Sequence, residues 1–163
     1  MDSENREPVE IPDDVLTDIY RHAREEFPNE CCGWLVGQKA GSRILRARRA
    51  TNAYTQESLP LAGQRTKERA YVIAGSDLME LNNTLDDAEP PRVIYHSHPV
   101  GKAYFSETDQ SVARSPWGDG PAYPVQQLVI GIDEERVVEA RLFGWDEESE
   151  MYVEIAFIEG KEI

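Results

Sequence analysis

The stretch HSHPVGKAYFSETD, from His96 to Asp109, gathers the residues of this chain best suited to chemistry. The protein has 3 histidines in 163 residues, and two of them stand two positions apart. The apolar run RVIY leads into His96, so the chain arrives there as a strand. Residues i and i+2 of an extended chain point the same way. His96 and His98 can therefore converge on one ion, while Ser97 faces the opposite side. Pro99 ends the strand and Gly101 lets the chain turn. Asp109 then falls in the first turn of the next helix, from which a carboxylate can swing back. A catalytic zinc takes three protein ligands and keeps one position for water; His96, His98 and Asp109 are three candidates. SETD also reads as a capping box, with Ser106 capping a helix and the acidic residue three on capping in return. Residue types alone mark a candidate metal site and leave the reaction open.

These residues need elements to hold them. IPDDVLTDIYRHAREEF carries Val15, Leu16, Ile19, Tyr20, Ala23 and Phe27 at helical spacing. Pro12 suits its first turn, and Asp13 and Asp14 complement the helix dipole. His22 lies beside the stripe and reads as a surface or half-buried residue, not a ligand. ECCGWLVGQ is too short and apolar for a helix and reads as a buried strand. SRILRARRAT is its hairpin partner, turned at 39–41, with Ile44, Arg46 and Arg48 on one face. A polar loop covers 55–69, and AYVI forms a short strand. Ser76 caps a second helix, SDLMELNNTLDDA, with Leu78, Leu81 and Leu85 on one side. RVIY is a strand, SETDQSVARS a short helix, and SPWGDGPAYP a loop over 115–124. VQQLVIGI, ERVVEARLFGW and EMYVEIAFIE are three strands. The order predicts an α+β fold, a mixed and largely antiparallel sheet flanked by helices. One domain is expected over 11–158, with a frayed segment at 1–10 and a tail at 159–163.

Composition narrows the function. The net charge is −14, which argues against binding nucleic acid or anionic membranes. The charge is uneven: five basic residues and no acidic one fall in 39–49, whereas 133–163 holds eleven acidic and three basic. The arginines of the hairpin read as a solvated strand face, with docking of an acidic partner as the alternative. No apolar run approaches the roughly 20 residues of a membrane span. The acidic N-terminus is unlike a signal or transit peptide, so a cytoplasmic location is expected. Cys31 and Cys32 are adjacent, a spacing poor for a disulfide and lacking a second pair for metal. They read as small buried residues.

HSHPVGKAYFSETD resembles the signature of the JAMM (MPN-plus, or JAB) metalloprotease family: His-x-His-Pro, six more residues, Ser, two residues, Asp. His96, His98, Pro99, Ser106 and Asp109 meet every fixed position. PNECCGWLVG is similar to the family's upstream glutamate pattern, with Glu30 in the glutamate's place. The resemblance implies a compact prokaryotic member with the family's cytidine-deaminase-like architecture. It implies that His96, His98 and Asp109 bind one zinc, with water as fourth ligand at a pKa of about 7. Glu30 would be the general base, and Ser106 would donate a hydrogen bond to the tetrahedral oxyanion. The implied reaction is hydrolysis after the C-terminal Gly-Gly of a ubiquitin-like or sulfur-carrier protein. The loops at 55–69 and 115–124 would flank the bound tail, with Trp117 as a wall; plain surface connections are the alternative. Two other functions stay open: a non-catalytic scaffold of the same fold, and a peptidase of the same chemistry acting on small peptides or amino-acid adducts.

Overall fold

Helix α1, Asp13–Glu26, forms where apolar residues recur every three or four positions. Val15, Leu16, Ile19, Tyr20 and Ala23 are buried along it, and Asp13 and Asp14 occupy its first turn, the positive end of the helix dipole. Pro12 is the residue just outside, at the N-cap. The computed structural model describes residues 7–53, 73–118 and 120–163. The loop expected at 55–69 lies outside these residues, as does all but Ile73 of the strand expected at 70–73.

Six strands follow in the chain: β1 Cys32–Gly37, β2 Ile44–Ala50, β3 Pro91–His98, β4 Gln126–Ile132, β5 Val137–Asp146 and β6 Met151–Lys161. They form one sheet in the order β2-β1-β3-β4-β5-β6. Every neighbouring pair is antiparallel except β3 and β4. A parallel pair cannot be closed by a tight turn, and the connection between them carries a short helix. Helix α2, Gly75–Asn83, lies between β2 and β3, and helix α3, Glu107–Ala113, between β3 and β4. This is the expected α+β fold with a mixed, largely antiparallel sheet.

Alternation along the strands sorts the core onto the two faces. Leu35, Val93, Tyr95, Leu128 and Ile130 pack with α1. Trp34, Ile94 and Cys32 pack with Leu81 of α2, and Val129, Phe143 and Trp145 pack with Ala113 of α3. The sheet is thus covered on both sides. That is why β1 and β4 are buried throughout and read as unbroken apolar runs. The chain ahead of α1 is also attached: Val9 is buried, its N–H donates to Gln126 Oε1 at 3.2 Å, and Glu10 bridges Arg43 of the hairpin turn.

Three local expectations are corrected. Helix α2 starts at Gly75 with Ala74 at the N-cap and no side-chain cap bond, so Ser76 lies inside the first turn. Of its two leucines only Leu81 is buried; Leu78 is exposed, and Leu85 falls beyond the helix end at Asn83. The face shared by Ile44, Arg46 and Arg48 is broken by a bulge. Gly37 pairs with Ile44 and Val36 with Arg46, which leaves Leu45 over. Ile44 therefore joins the α1 core, whereas Arg46 pairs with Glu89 and Arg48 with Asp77 and Glu80. Arg48 also stacks over Trp34 at 5.0 Å. Cys31 and Cys32 are free and buried as expected, and burial pushes the Cys31 thiol up to about 12, which keeps it unreactive.

His22 is the fourth correction: it is buried, at 5% exposure, with Nδ1 2.7 Å from Tyr95 Oη. Helical spacing puts it at the edge of the stripe, but Tyr95 of β3 sets its ring edge-on against it, with centroids 5.9 Å apart. Burial, reinforced by Arg49, lowers its pKa from 6.5 to about 4. The unfolded chain thus binds a proton here at a pH where the folded one does not. Stability from this group is full above pH 6.5 and is lost as pH falls toward 4, by about 2–3 kcal/mol. Urea midpoints of wild type and His22→Gln at pH 7.5, 5.5 and 4.5 check this. The wild type should lose more than the variant across that window, and parallel losses would refute it.

Candidate metal centre

Strand β3 delivers both histidines to one place. His96 pairs with Cys32 across β1 and with Val129 across β4, so it sits mid-sheet and has no exposed surface. His98 follows two residues on, nearly buried, on the face that carries α2 and α3. Their Nε2 atoms are 3.1 Å apart. Ser97 turns the other way, as alternation requires. Its hydroxyl accepts the Cys31 N–H at 2.8 Å, and its own N–H donates to the Cys31 carbonyl at 3.1 Å. Glu30, the residue before that pairing, is buried too. Ligand atoms of Glu30, His96 and His98 lie within 4.8 Å of one another, so these three form a candidate metal site.

Asp109 approaches from α3. Its Oδ2 is 3.3 Å from His96 Nε2 and 3.2 Å from His98 Nε2. The same oxygen accepts the Ser106 N–H at 3.0 Å, and Ser106 Oγ accepts the Asp109 N–H at 3.0 Å. The capping box therefore exists, and it aims Asp109 at the histidines. The two readings of SETD coincide in one turn. Electrostatics agree with the geometry. Burial raises the Asp109 pKa, but the two imidazoles outweigh it and hold the carboxyl well below its usual range. Burial lowers the His96 pKa, but Asp109 outweighs it and the net shift is upward.

Other residues fix α3 in place. Gly101 takes a positive φ of 74°, and its N–H donates to the Ile132 carbonyl at 2.9 Å. The loop then lies against Gly131, where a Cβ would stand 2.7 Å from the Lys102 backbone. The Ala103 N–H donates to Glu139 Oε2 at 3.0 Å. Gln110 of α3 exchanges two hydrogen bonds with the Tyr152 backbone, at 2.8 and 3.0 Å. Tyr104 sets its edge against His98, with ring centroids 4.9 Å apart, and Phe105 packs on Phe143 and Tyr152 behind His96. Of these, the two glycines left a trace in sequence: Gly101 where the chain must turn, and Gly131 as an isolated glycine in a strand, which marks a close backbone approach. Glu139 and Gln110 act on partners 36 and 42 residues away and left none.

The structure is thus an α+β domain with a candidate metal centre, built from histidines at the end of a central strand and carboxylates from the segment before β1 and from the following helix. Residues 12–142 match the family of prokaryotic homologs of the JAB domain, and the chain belongs to that family. It is 30% identical over 104 residues to proteins named CysO-cysteine peptidase from Mycobacterium tuberculosis and Mycobacterium bovis. That match covers 63% of this chain and 64% of those relatives. Among solved structures, a Salinibacter ruber protein superposes with a TM-score of 0.59 at 21% identity, over 93% of this chain and 91% of its own. A Desulfitobacterium hafniense protein gives 0.59 at 17%, over 90% and 88%. These two likenesses concern the fold. No helix of the described residues is long and apolar enough to cross a membrane.

Proposed function

We propose that this protein is a zinc-dependent hydrolase of the JAMM type. Its substrates are peptide or isopeptide bonds after the C-terminal Gly-Gly of a ubiquitin-like or sulfur-carrier protein, and its setting is cytoplasmic. The single observation that carries the reading is the convergence of His96, His98 and Asp109 on one point. Zinc–nitrogen bonds of about 2.0–2.1 Å imply ligand–ligand edges near 3.3 Å in a tetrahedral site. The three separations here are 3.1, 3.2 and 3.3 Å, so the donor set fits zinc.

In this reading His96, His98 and Asp109 hold the ion. Glu30 stays outside the ligand set, near enough to share a water with it. A zinc held there supplies a Lewis acid for the scissile carbonyl and a water acidic enough to react near neutral pH. Glu30 accepts a proton from the attacking water and passes it to the leaving nitrogen. Ser106 uses an oxygen lone pair for the cap, which leaves its O–H proton to donate to the carbonyl oxygen as charge builds there. The domain proposed over 11–158 contains every one of these groups. The 115–124 loop is proposed as a flank of the substrate tail, with the exposed Trp117 in it.

The name of the mycobacterial relatives favours one narrower reading, in which the bond cleaved joins a carrier's terminus to a single cysteine. Both readings share a test. Carrier fusions ending in Gly-Gly, Gly-Ala or Ala-Ala, and a Gly-Gly carrier bearing C-terminal cysteine, are incubated with the zinc-loaded protein and followed by mass spectrometry. Cleavage after Gly-Gly is expected, with a sharp fall in kcat/KM when alanine replaces the last glycine. Equal cleavage of all tails would make the protein a general peptidase. Release of cysteine alone would select the narrower reading.

A further inference from the structure

The candidate base sits next to a peptide unit held from both ends. The carbonyl of Glu30 accepts from Asn52 Nδ2 at 2.9 Å. The N–H of Cys31, the other half of the same peptide, donates to Ser97 Oγ at 2.8 Å. Both side chains are buried, so neither bond competes with bulk water. We propose that Asn52 and Ser97 form a clamp on the Glu30–Cys31 peptide unit and are positioning residues for the Glu30 carboxylate. The proposal rests on the reading of Glu30 as general base.

The physical argument concerns rotation. Fixing that peptide plane sets ψ of Glu30 and φ of Cys31, the two torsions that swing the Glu30 side chain relative to β1. The two jaws come from places that are themselves rigid. Ser97 lies between His96 and His98 in β3, so one residue ties the base's backbone to the histidine strand. Asn52 follows β2 and bridges Ile73. Its neighbour Thr51 donates its N–H to Asp77 Oδ2 at 2.8 Å and accepts from Ala74 N–H at 2.9 Å. Arg48 holds Asp77 in turn, at 2.9 Å. The middle residue of His-Ser-His thus has work of its own on the face opposite the histidines. A misplacement of about 1 Å at a reacting group can cost on the order of 10²-fold in rate.

The test uses Ser97→Ala, Asn52→Leu, their double variant and Ser97→Thr, which keeps the hydroxyl. Asn52→Asp, which faces the carbonyl with an acceptor, replaces Asn52→Leu if the latter does not fold. Each of Ser97→Ala and Asn52→Leu should lower kcat about 10–100-fold with KM within about twofold. The double variant should fall little below the weaker single, because both jaws grip one peptide, and Ser97→Thr should behave as wild type. Wild-type kcat in both single variants, at one zinc per chain, would overturn the clamp. Crystal structures of the same variants read positioning without turnover. The Glu30 carboxylate should leave the 4.8 Å group it forms with His96 and His98, and its retention there would also overturn the clamp. A wild-type protein that cleaves no carrier, with that displacement in the variants, would count against the hydrolase reading while supporting the clamp.

Discussion

Glu30→Gln is expected to keep its fold and its zinc while kcat falls about 10²–10⁴-fold, the range a positioned general base contributes. Glutamine is nearly isosteric with glutamate and cannot accept the proton. The site offers two ways to assign its carboxylates. Glu30, His96 and His98 lie within 4.8 Å of one another, whereas Asp109 stands 3.2 and 3.3 Å from the two imidazoles. The Asp109 separations match ligand edges near 3.3 Å. The variant separates these assignments. Zinc analysis at one ion per chain with lost turnover supports the base. A variant that loses zinc as well would make Glu30 a ligand, and near-normal kcat in the loaded protein would remove it from the mechanism.

Asp109→Asn should lower zinc affinity by more than about 10²-fold, because loss of a mere outer-shell partner already costs 10–100-fold. The amide oxygen can still accept the Ser106 N–H, so the cap survives and the melting temperature of the zinc-free protein should change little. Asp109→Ala removes both functions. It should lose zinc to the same degree and also about 1 kcal/mol of stability. The pair of variants thus tells the ligand from the cap, which one carboxylate oxygen serves together. Competition with a chromogenic chelator gives the affinity, and thermal melts of the stripped proteins give the cap. Tight zinc binding in Asp109→Asn would take Asp109 out of the ligand set.

Much of the site was legible because its logic is short-range. Alternation along a strand puts His96 and His98 on one side and Ser97 on the other within three residues. The capping box that orients Asp109 spans four residues. Helix α1 announced itself by a stripe and two aspartates at its start. The errors fell where a distant partner overrode a local pattern. His22 lies at the margin of an amphipathic helix, and its buried partner, Tyr95, is 73 residues away in sequence. The arginine face of the hairpin changed because one extra residue, Leu45, was taken up as a bulge, and a bulge turns every later side chain to the other face.

The chain by itself marked His96, His98 and Asp109 as candidate metal ligands, and it determined which strand and helix carry them and the class of fold that joins those elements. Each of these follows from periodicities and caps that act over a turn or a few strand residues. Only the tertiary structure decided that Glu30 meets a strand 66 positions away, as the pairing of Cys31 with Ser97 shows. It alone placed Asn52 on the Glu30 carbonyl and Glu139 under the loop that leads to α3. These are hydrogen bonds between segments remote in sequence. Their formation depends on register and packing over the whole sheet, which no local pattern encodes.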